Sequence, residues 1–308
     1  MTDVLSLDGR VAVVTGAGGG LGRSHALALA ARGALVVVND VGSALDGSYG
    51  GALDAADTVV AEIAAAGGTA VANRSSVATP EGGHAIVDTA IREFGGIDIV
   101  VNNAGFIRDR AFHKMSDDEL TSVLDVHLRG AIHVTRAAWS HMREHGYGRV
   151  VNTTSNAGLL GNFGQANYSS AKMGLVGLTR TLAIEGERHN IKVNAVSPIA
   201  RTRMTDQVLG SLADAAEPEC VSQLVALLAH QHCPVSGEVL TVGAGRVARF
   251  FIGMTDGWIS DRDLRAEDVL ENFGAIADTA AFSILGSALE ELDSLKAQLE
   301  ARSGATSS

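Results

Sequence analysis

The sequence predicts an α/β chain built on a doubly wound parallel sheet of seven strands, with helices on both faces and a helical extension at the C-terminus. Three observations carry that expectation. Short β-branched runs alternate with longer helical stretches from residue 11 onward, and glycine-rich turns follow the strands. The composition agrees, because 36 glycines against only 4 prolines suit many tight strand-to-helix turns. At 308 residues such a sheet is expected to form one large domain.

The first strand is the run Val11 to Thr15. It feeds Thr15-Gly16-Ala17-Gly18-Gly19-Gly20-Leu21-Gly22 and then a helix from Leu21 to Arg32. Glycines there let the backbone turn sharply and approach a pyrophosphate, whose charge the N–H groups and dipole at the helix start favour. Gly16, Gly20, Leu21 and Gly22 are therefore candidate dinucleotide-binding residues. The second strand, Leu35 to Asn39, ends at Asp40, 18 residues beyond Gly22. A carboxylate in that place accepts hydrogen bonds from ribose hydroxyls and repels a 2′-phosphate, which predicts NAD over NADP. A helix from Ala52 to Ala66 leads to the third strand, Ala70 to Asn73, and a helix from Pro80 to Phe94 to the fourth, Ile97 to Val101. After the fourth strand, Asn102-Asn103-Ala104-Gly105 is small and polar where a cofactor's ribose would lie, so Asn103, Ala104 and Gly105 join the candidate set.

A long helical stretch, Asp117 to Glu144, precedes the fifth strand, Arg149 to Thr153, and Ser155 stands just past it. The next helix runs from Ala166 to Glu187 and puts Tyr168 and Lys172 one turn apart on one face. A free tyrosine has a pKa near 10, and a cation close by favours its phenolate, so the pair reads as a general base with its tuning group. Ser155 can hydrogen-bond the reacting oxygen. The sixth and seventh strands are Ile191 to Val196 and Glu238 to Val242. Between them, residues 199 to 217 form the longest loop, expected to be a substrate lid or a plain surface insertion. Beyond Val242 the pattern becomes irregular until Ser283 to Ala301, an amphipathic helix with leucines at 285, 289, 292, 295 and 299. It is expected to cover the site or a subunit contact. The expected organisation is a dinucleotide-binding domain over 1–245 and an extension of the same domain over 246–308, its last residues disordered.

Charge and cysteine content exclude several classes. A formal net charge of −11 argues against nucleic-acid or anionic-membrane partners, which require a basic face. Two cysteines, Cys220 and Cys233, make a disulfide framework improbable and point to a reduced, cytoplasmic setting. His230-Gln231-His232-Cys233 follows an apolar helical run and precedes Pro234, so it reads as a helix end and no metal site is expected. The start MTDVLSLDGR lacks the order of a signal peptide, and no stretch of about 20 apolar residues could span a bilayer.

The glycine turn TGxxxGxG, NNAG, Ser155 and a Tyr-x-x-x-Lys beginning 13 residues after that serine together resemble the short-chain dehydrogenase/reductase family over roughly residues 8 to 245. The resemblance implies a Rossmann-like domain, hydride transfer at a carbinol or carbonyl carbon, and a homodimer or homotetramer formed through the long helices. It makes Tyr168 the acceptor of the hydroxyl proton, gives Lys172 a hold on the nicotinamide ribose as well, and adds Pro198 to the cofactor contacts. Two departures stand out. An aspartate often found after the third strand is absent, leaving Ser76 and Val77 near the adenine, and His127 replaces the asparagine of a proton relay. A histidine can hold that relay, since it donates and accepts hydrogen bonds, or it can be a satisfied core residue.

Longer stretches, among them VVVNDVG, VHLRGAIHVTRAAWSHM, GNFGQANYS and LAIEGERHNIKVNAVSP, resemble the (3R)-hydroxyacyl-CoA dehydrogenase branch of the family. That branch shares the histidine. It implies oxidation of a (3R)-3-hydroxyacyl-CoA, with a steroid 17β-hydroxyl as a second substrate. Arg108, Arg110 and Lys114 after the fourth strand, and Arg201 and Arg203 in the loop 199 to 217, could meet coenzyme A phosphates or be solvated charges paired with Asp109 and Asp206. The rivals are a dehydrogenase of free hydroxysteroids and a non-catalytic nucleotide-binding protein on the same fold.

Overall fold

A computed structural model of the chain describes residues 5–42, 54–201, 210–260 and 263–305. The contacts divide it into two units, residues 1–249 and 250–308. The first unit alternates strands and helices in the order β1 Val11–Thr15, α1 Gly20–Ala30, β2 Leu35–Asn39, α2 Ala55–Ala65, β3 Thr69–Asn73, α3 Pro80–Phe94, β4 Ile99–Asn102, α4 Asp117–Leu124 and α5 Gly130–His145. It continues with β5 Gly148–Thr153, α6 Asn156–Leu160, α7 Ala166–Gly186, β6 Ile191–Pro198, α8 Pro218–Ala229, β7 Val239–Gly243 and β8 Arg246–Phe250.

The sheet order is β3-β2-β1-β4-β5-β6-β7-β8. The strand order reverses between β1 and β4, and in open α/β sheets the ligand crevice lies beyond the strand ends at such a reversal. The seven expected strands all form, with parallel pairing from β3 through β7. The eighth, β8, was not foreseen. It follows β7 through Ala244 and Gly245, both at positive φ, the conformation of a two-residue hairpin turn. Two residues suffice for an antiparallel return but not for a parallel crossover, so β8 caps the edge without another helix.

Alternation along the strands splits the core into two layers. Ala12, Val14, Val36 and Val38 face α1, α2 and α8, whereas Val11, Val13 and Val37 face α3 and α5. Helix ends follow local chemistry. Thr79 caps α3 by accepting the Gly82 N–H at 3.1 Å, ahead of Pro80, and Gly95 closes that helix at φ +82°. Ser116 and Glu119 form a reciprocal capping box at α4.

The expected helix from Asp117 to Glu144 is broken into α4 and α5 by a π-helical stretch, Asp125–Arg129. Hydrophobic periodicity cannot register the extra residue of a π turn, which changes the side chain presented to the site rather than the apolar face. The His230-Gln231-His232-Cys233 run caps α8, where the buried Arg149 guanidinium donates to the carbonyls of His230 at 3.0 Å and Gln231 at 3.3 Å. Cys220 and Cys233 are both unbridged.

The second unit holds a two-stranded antiparallel pair, β9 Met254–Thr255 with β10 Phe282–Ser283, and the helices α9 Ala266–Glu271, α10 Phe273–Ile276 and α11 Ala288–Ala305. The last helix begins five residues later than the leucine pattern suggests and runs through Ser303 to Ala305, into the tail expected to lack structure. None of the helices among the described residues is long and apolar enough to cross a membrane.

Candidate active site

The glycine turn and the β4 exit are built as one piece. Thr15 Oγ1 accepts the N–H groups of Asn103 at 3.0 Å and Ala104 at 3.1 Å. In return, the Asn103 amide donates to the carbonyls of Thr15 at 3.0 Å and Gly16 at 3.1 Å. Such close backbone approach leaves no room for a side chain. A Cβ at Gly22 would stand 2.1 Å from the Gly16 carbonyl oxygen, and one at Gly16, which sits at φ +62°, 2.7 Å from Ala104 Cα. Leu21 opens α1 and packs its side chain against the core below the turn.

Asp40 fastens the other side of this cradle. Its carboxylate accepts the N–H of Gly18 at 2.9 Å and of Gly42 at 2.7 Å, so the negative charge is held against the glycine turn at the end of β2. Val77 is buried against Gly130, while Ser76 Oγ accepts the Ala78 N–H at 3.2 Å. Pro198 ends β6 opposite Val242.

Ser155 leaves β5 and caps α6, its hydroxyl accepting the Ala157 N–H at 3.2 Å and donating to Asn156 Oδ1 at 3.2 Å, near enough to the Tyr168 phenol to influence its pKa. Tyr168 lies in the first turn of α7, and its placement depends on Asn167, a fully buried residue that the sequence reading missed. The Asn167 amide donates to the carbonyls of Arg108 at 3.0 Å and Glu119 at 2.8 Å, while its oxygen accepts the Tyr168 N–H at 2.8 Å. Only its place beside Tyr168 could have flagged it, because a buried asparagine has no sequence signature.

One turn later Lys172 is buried, its Nζ donating to the Thr153 carbonyl at 2.6 Å and standing 5.4 Å from the Tyr168 ring centre. Burial lowers the Lys172 pKa from 10.5 to about 7. Burial also raises the Tyr168 pKa above its usual value, with the Ser155 hydroxyl drawing it back down. The Asp109 charge raises it further, and the lowering by Lys172 expected from helical spacing is not among the causes. Spacing along a helix reports proximity but not solvent exposure.

His127 is buried in the π-helical stretch, its ring edge-on to that of Tyr168 with centres 5.1 Å apart. Its Nε2 lies 2.7 Å from the Phe106 carbonyl oxygen and 3.0 Å from the Phe106 amide nitrogen. Burial first, and then the Lys172 charge, hold its pKa well below 6.5, so the ring is neutral. Its Nδ1 is buried with no hydrogen-bond partner among the described residues. A Cβ at Gly105 would stand 2.1 Å from the imidazole Cε1, so the last glycine of NNAG is what admits His127.

The structure thus gathers Ser155, Tyr168, Lys172 and His127 at one strand edge. The expected substrate arginines are placed differently. Arg201 pairs with Glu217 at 2.6 Å, Arg108 with Asp118 at 2.6 Å and Arg110 with Glu119 at 3.0 Å, whereas Arg203 lies outside the described residues. Three apolar side chains, Phe112 in the short helical turn after β4, Leu160 at the end of α6 and Phe163 between α6 and α7, are strongly exposed.

The model of the short chain dehydrogenase family matches residues 10–212. The chain is 51% identical over 278 residues to a short-chain type dehydrogenase/reductase of Mycobacterium tuberculosis, covering 90% of this chain and 97% of that one. It is 50% identical over 282 residues to the peroxisomal multifunctional enzyme type 2 of Mus musculus, covering 90% of this chain but 38% of that one. A hydroxyacyl-CoA dehydrogenase of M. tuberculosis, ChsB1, is 42% identical, with 77% of each chain covered. The solved full-length multifunctional enzyme type 2 of Drosophila melanogaster superposes with a TM-score of 0.80 at 37% identity, over 96% of this chain and 50% of that one. The chain therefore spans 38% of the mouse enzyme and 50% of the Drosophila one.

Proposed function

The chain belongs to the short-chain dehydrogenase/reductase family, and from that premise we propose that it oxidises a (3R)-3-hydroxyacyl-CoA to the 3-oxoacyl-CoA with NAD. The observation that carries the reading is the cluster of Ser155, Tyr168, Lys172 and His127 beside a glycine cradle that ends in a carboxylate. The residues fit the cofactor. A Cβ at Gly18 would meet the Asp40 carboxylate at 2.9 Å, so the glycine lets that carboxylate close against the turn, where an acceptor for ribose hydroxyls is required.

When bound, NAD supplies the hydride acceptor. Tyr168 Oη takes the proton of the substrate hydroxyl in its phenolate form, the minor form at neutral pH because burial raises its pKa, and Ser155 Oγ holds that oxygen in place. Lys172 changes charge near neutral pH and is oriented by the Thr153 carbonyl, which leaves its remaining N–H groups for the ribose. His127 stays neutral and serves the relay through hydrogen bonds rather than by ionising.

For the substrate, the resemblance to hydroxyacyl-CoA dehydrogenases and the apolar rim of Phe112, Leu160 and Phe163 support a long acyl chain. We assign the coenzyme A phosphates to Arg201 and Arg203. A free 17β-hydroxysteroid is the second reading, favoured by the pairing of Arg108, Arg110 and Arg201 with carboxylates. We place the reaction in the cytoplasm, in keeping with two unbridged cysteines. We further propose a homodimer or homotetramer through α5 and α7, on which Met173 and Ile184 stand exposed, and residues 246–308 as an extension serving the same domain.

The test is NADH formation with (3R)- and (3S)-3-hydroxyacyl-CoA thioesters and free 17β-hydroxysteroids, with Tyr168→Phe as control. Activity on (3R)-thioesters alone supports the proposal. Activity confined to steroids replaces the substrate, and equal activity of Tyr168→Phe would overturn the chemistry.

A further inference from the structure

Cofactor preference in this fold was argued above from Asp40 alone, yet the neighbouring strand is followed by an opposite charge. Asn39 pairs with Asn73 in the parallel register of β2 and β3, and the Asp40 N–H donates to the Asn73 carbonyl at 3.0 Å. The residue after β2 is Asp40, and the residue after the adjoining β3 is a cation, Arg74. Its guanidinium pairs with Asp57 in the first turn of α2, both side chains about half exposed. That helix starts against the glycine turn, since a Cβ at Gly18 would meet Ala55 Cβ at 2.7 Å and the Asp40 carboxylate at 2.9 Å. The guanidinium is thus held by a helix start that borders the place assigned to the adenosine ribose.

We propose that Arg74 is a second determinant of cofactor choice: a cation able to receive a 2′-phosphate, with Asp40 repelling that phosphate and Asp57 holding the guanidinium. Guanidinium and phosphate match in charge and in fork geometry, whereas a ribose hydroxyl has no use for the charge. The inference rests on the dinucleotide reading of the glycine turn. It predicts that discrimination against NADP depends on three side chains, two of which the acidic-residue rule does not include.

The experiment is equilibrium titration of the intact protein with NAD and with NADP by calorimetry. It compares the wild type with Asp40→Ser, Asp57→Asn, Asp40→Ser/Arg74→Gln and Asp40→Ser/Arg74→Lys. Asp40→Ser should tighten NADP binding by about tenfold or more, the scale of a charged hydrogen bond. Adding Arg74→Gln should remove most of that gain, and Arg74→Lys should keep part of it. Asp57→Asn alone should tighten NADP by removing a negative charge from beside the guanidinium. Thermal melting of each variant confirms that it is folded. If Asp40→Ser/Arg74→Gln binds NADP as tightly as Asp40→Ser, Arg74 is not the phosphate partner and the proposal fails. Absence of NAD binding by the wild type would instead overturn the dinucleotide reading beneath it.

Discussion

The glycine turn after β1 and the polar cluster after β5 share one sheet edge, but opposite kinds of constraint hold them. The turn is a steric object. Gly16, Gly22, Thr15 and Asn103 bring two backbones so close that the missing Cβ atoms are the structural requirement. The cluster is a desolvated polar object. Ser155, Tyr168, Lys172 and His127 come from separate elements and are placed by hydrogen bonds to the carbonyls of Phe106 and Thr153 and by the buried Asn167. A change in the first region should therefore damage binding and folding together. A change in the second should damage chemistry while leaving binding largely intact.

The sharpest way to break this comparison is Tyr168→Phe, which removes one oxygen atom. Loss of a general base costs about 10²- to 10⁴-fold, so alcohol oxidation should fall by that amount, with NAD affinity by calorimetry nearly unchanged. Gly22→Ala is its counterpart. A Cβ 2.1 Å from a carbonyl oxygen forces the turn open, and both NAD affinity and melting temperature should fall together; a variant with weakened turnover alone would erase the distinction.

His127 sharpens the boundary between the regions, because Gly105 of NNAG makes space for its ring beside Tyr168. If His127 works as a neutral hydrogen-bonding group, His127→Asn should retain much more turnover than His127→Leu, at similar KM for NAD. The pH–rate profile should then show no break near 6.5 attributable to this ring, whose pKa burial holds well below that value. Lys172, at about 7, is the group expected to titrate. Tyr168 is the proton acceptor and burial raises its pKa, so alcohol oxidation should still be gaining rate as pH rises above neutral, and the reverse reduction should fall.

The smallest expected effect concerns the fold alone. His25 is buried between α1 and α8, its Nδ1 2.8 Å from Ser222 Oγ, and burial lowers its pKa from 6.5 to about 3. The unfolded chain takes up a proton near 6.5 and the folded one only near 3. Stability from this residue is therefore complete above pH 6.5 and drains away as pH falls toward 3. Urea melts should show His25→Gln less sensitive to acid over that window.

Much of this molecule could be read from local pattern. β1 and β2 begin and end where the valine runs do, because a strand buried on both faces must be apolar throughout. The glycine turn, Asp40 and the Tyr-x-x-x-Lys pair were legible for the same reason: each is a constraint between residues close in sequence. The π turn carrying His127 and the role of Asn167 were not. Each depends on a partner tens of residues away or on one residue of extra winding that leaves the hydrophobic period intact.

The sequence by itself therefore determined the order of strands and helices, the family, and the residue types available at the β1, β4 and β5 strand ends. Periodicity and glycine positions are local properties, written residue by residue. Only the tertiary structure decided the charge states, with Lys172 lowered and Tyr168 raised by burial, and the pairing of Arg74 with Asp57 and of Arg201 with Glu217. Desolvation and ion pairing depend on how much water and which charge surround a group, and those neighbours come from distant parts of the chain.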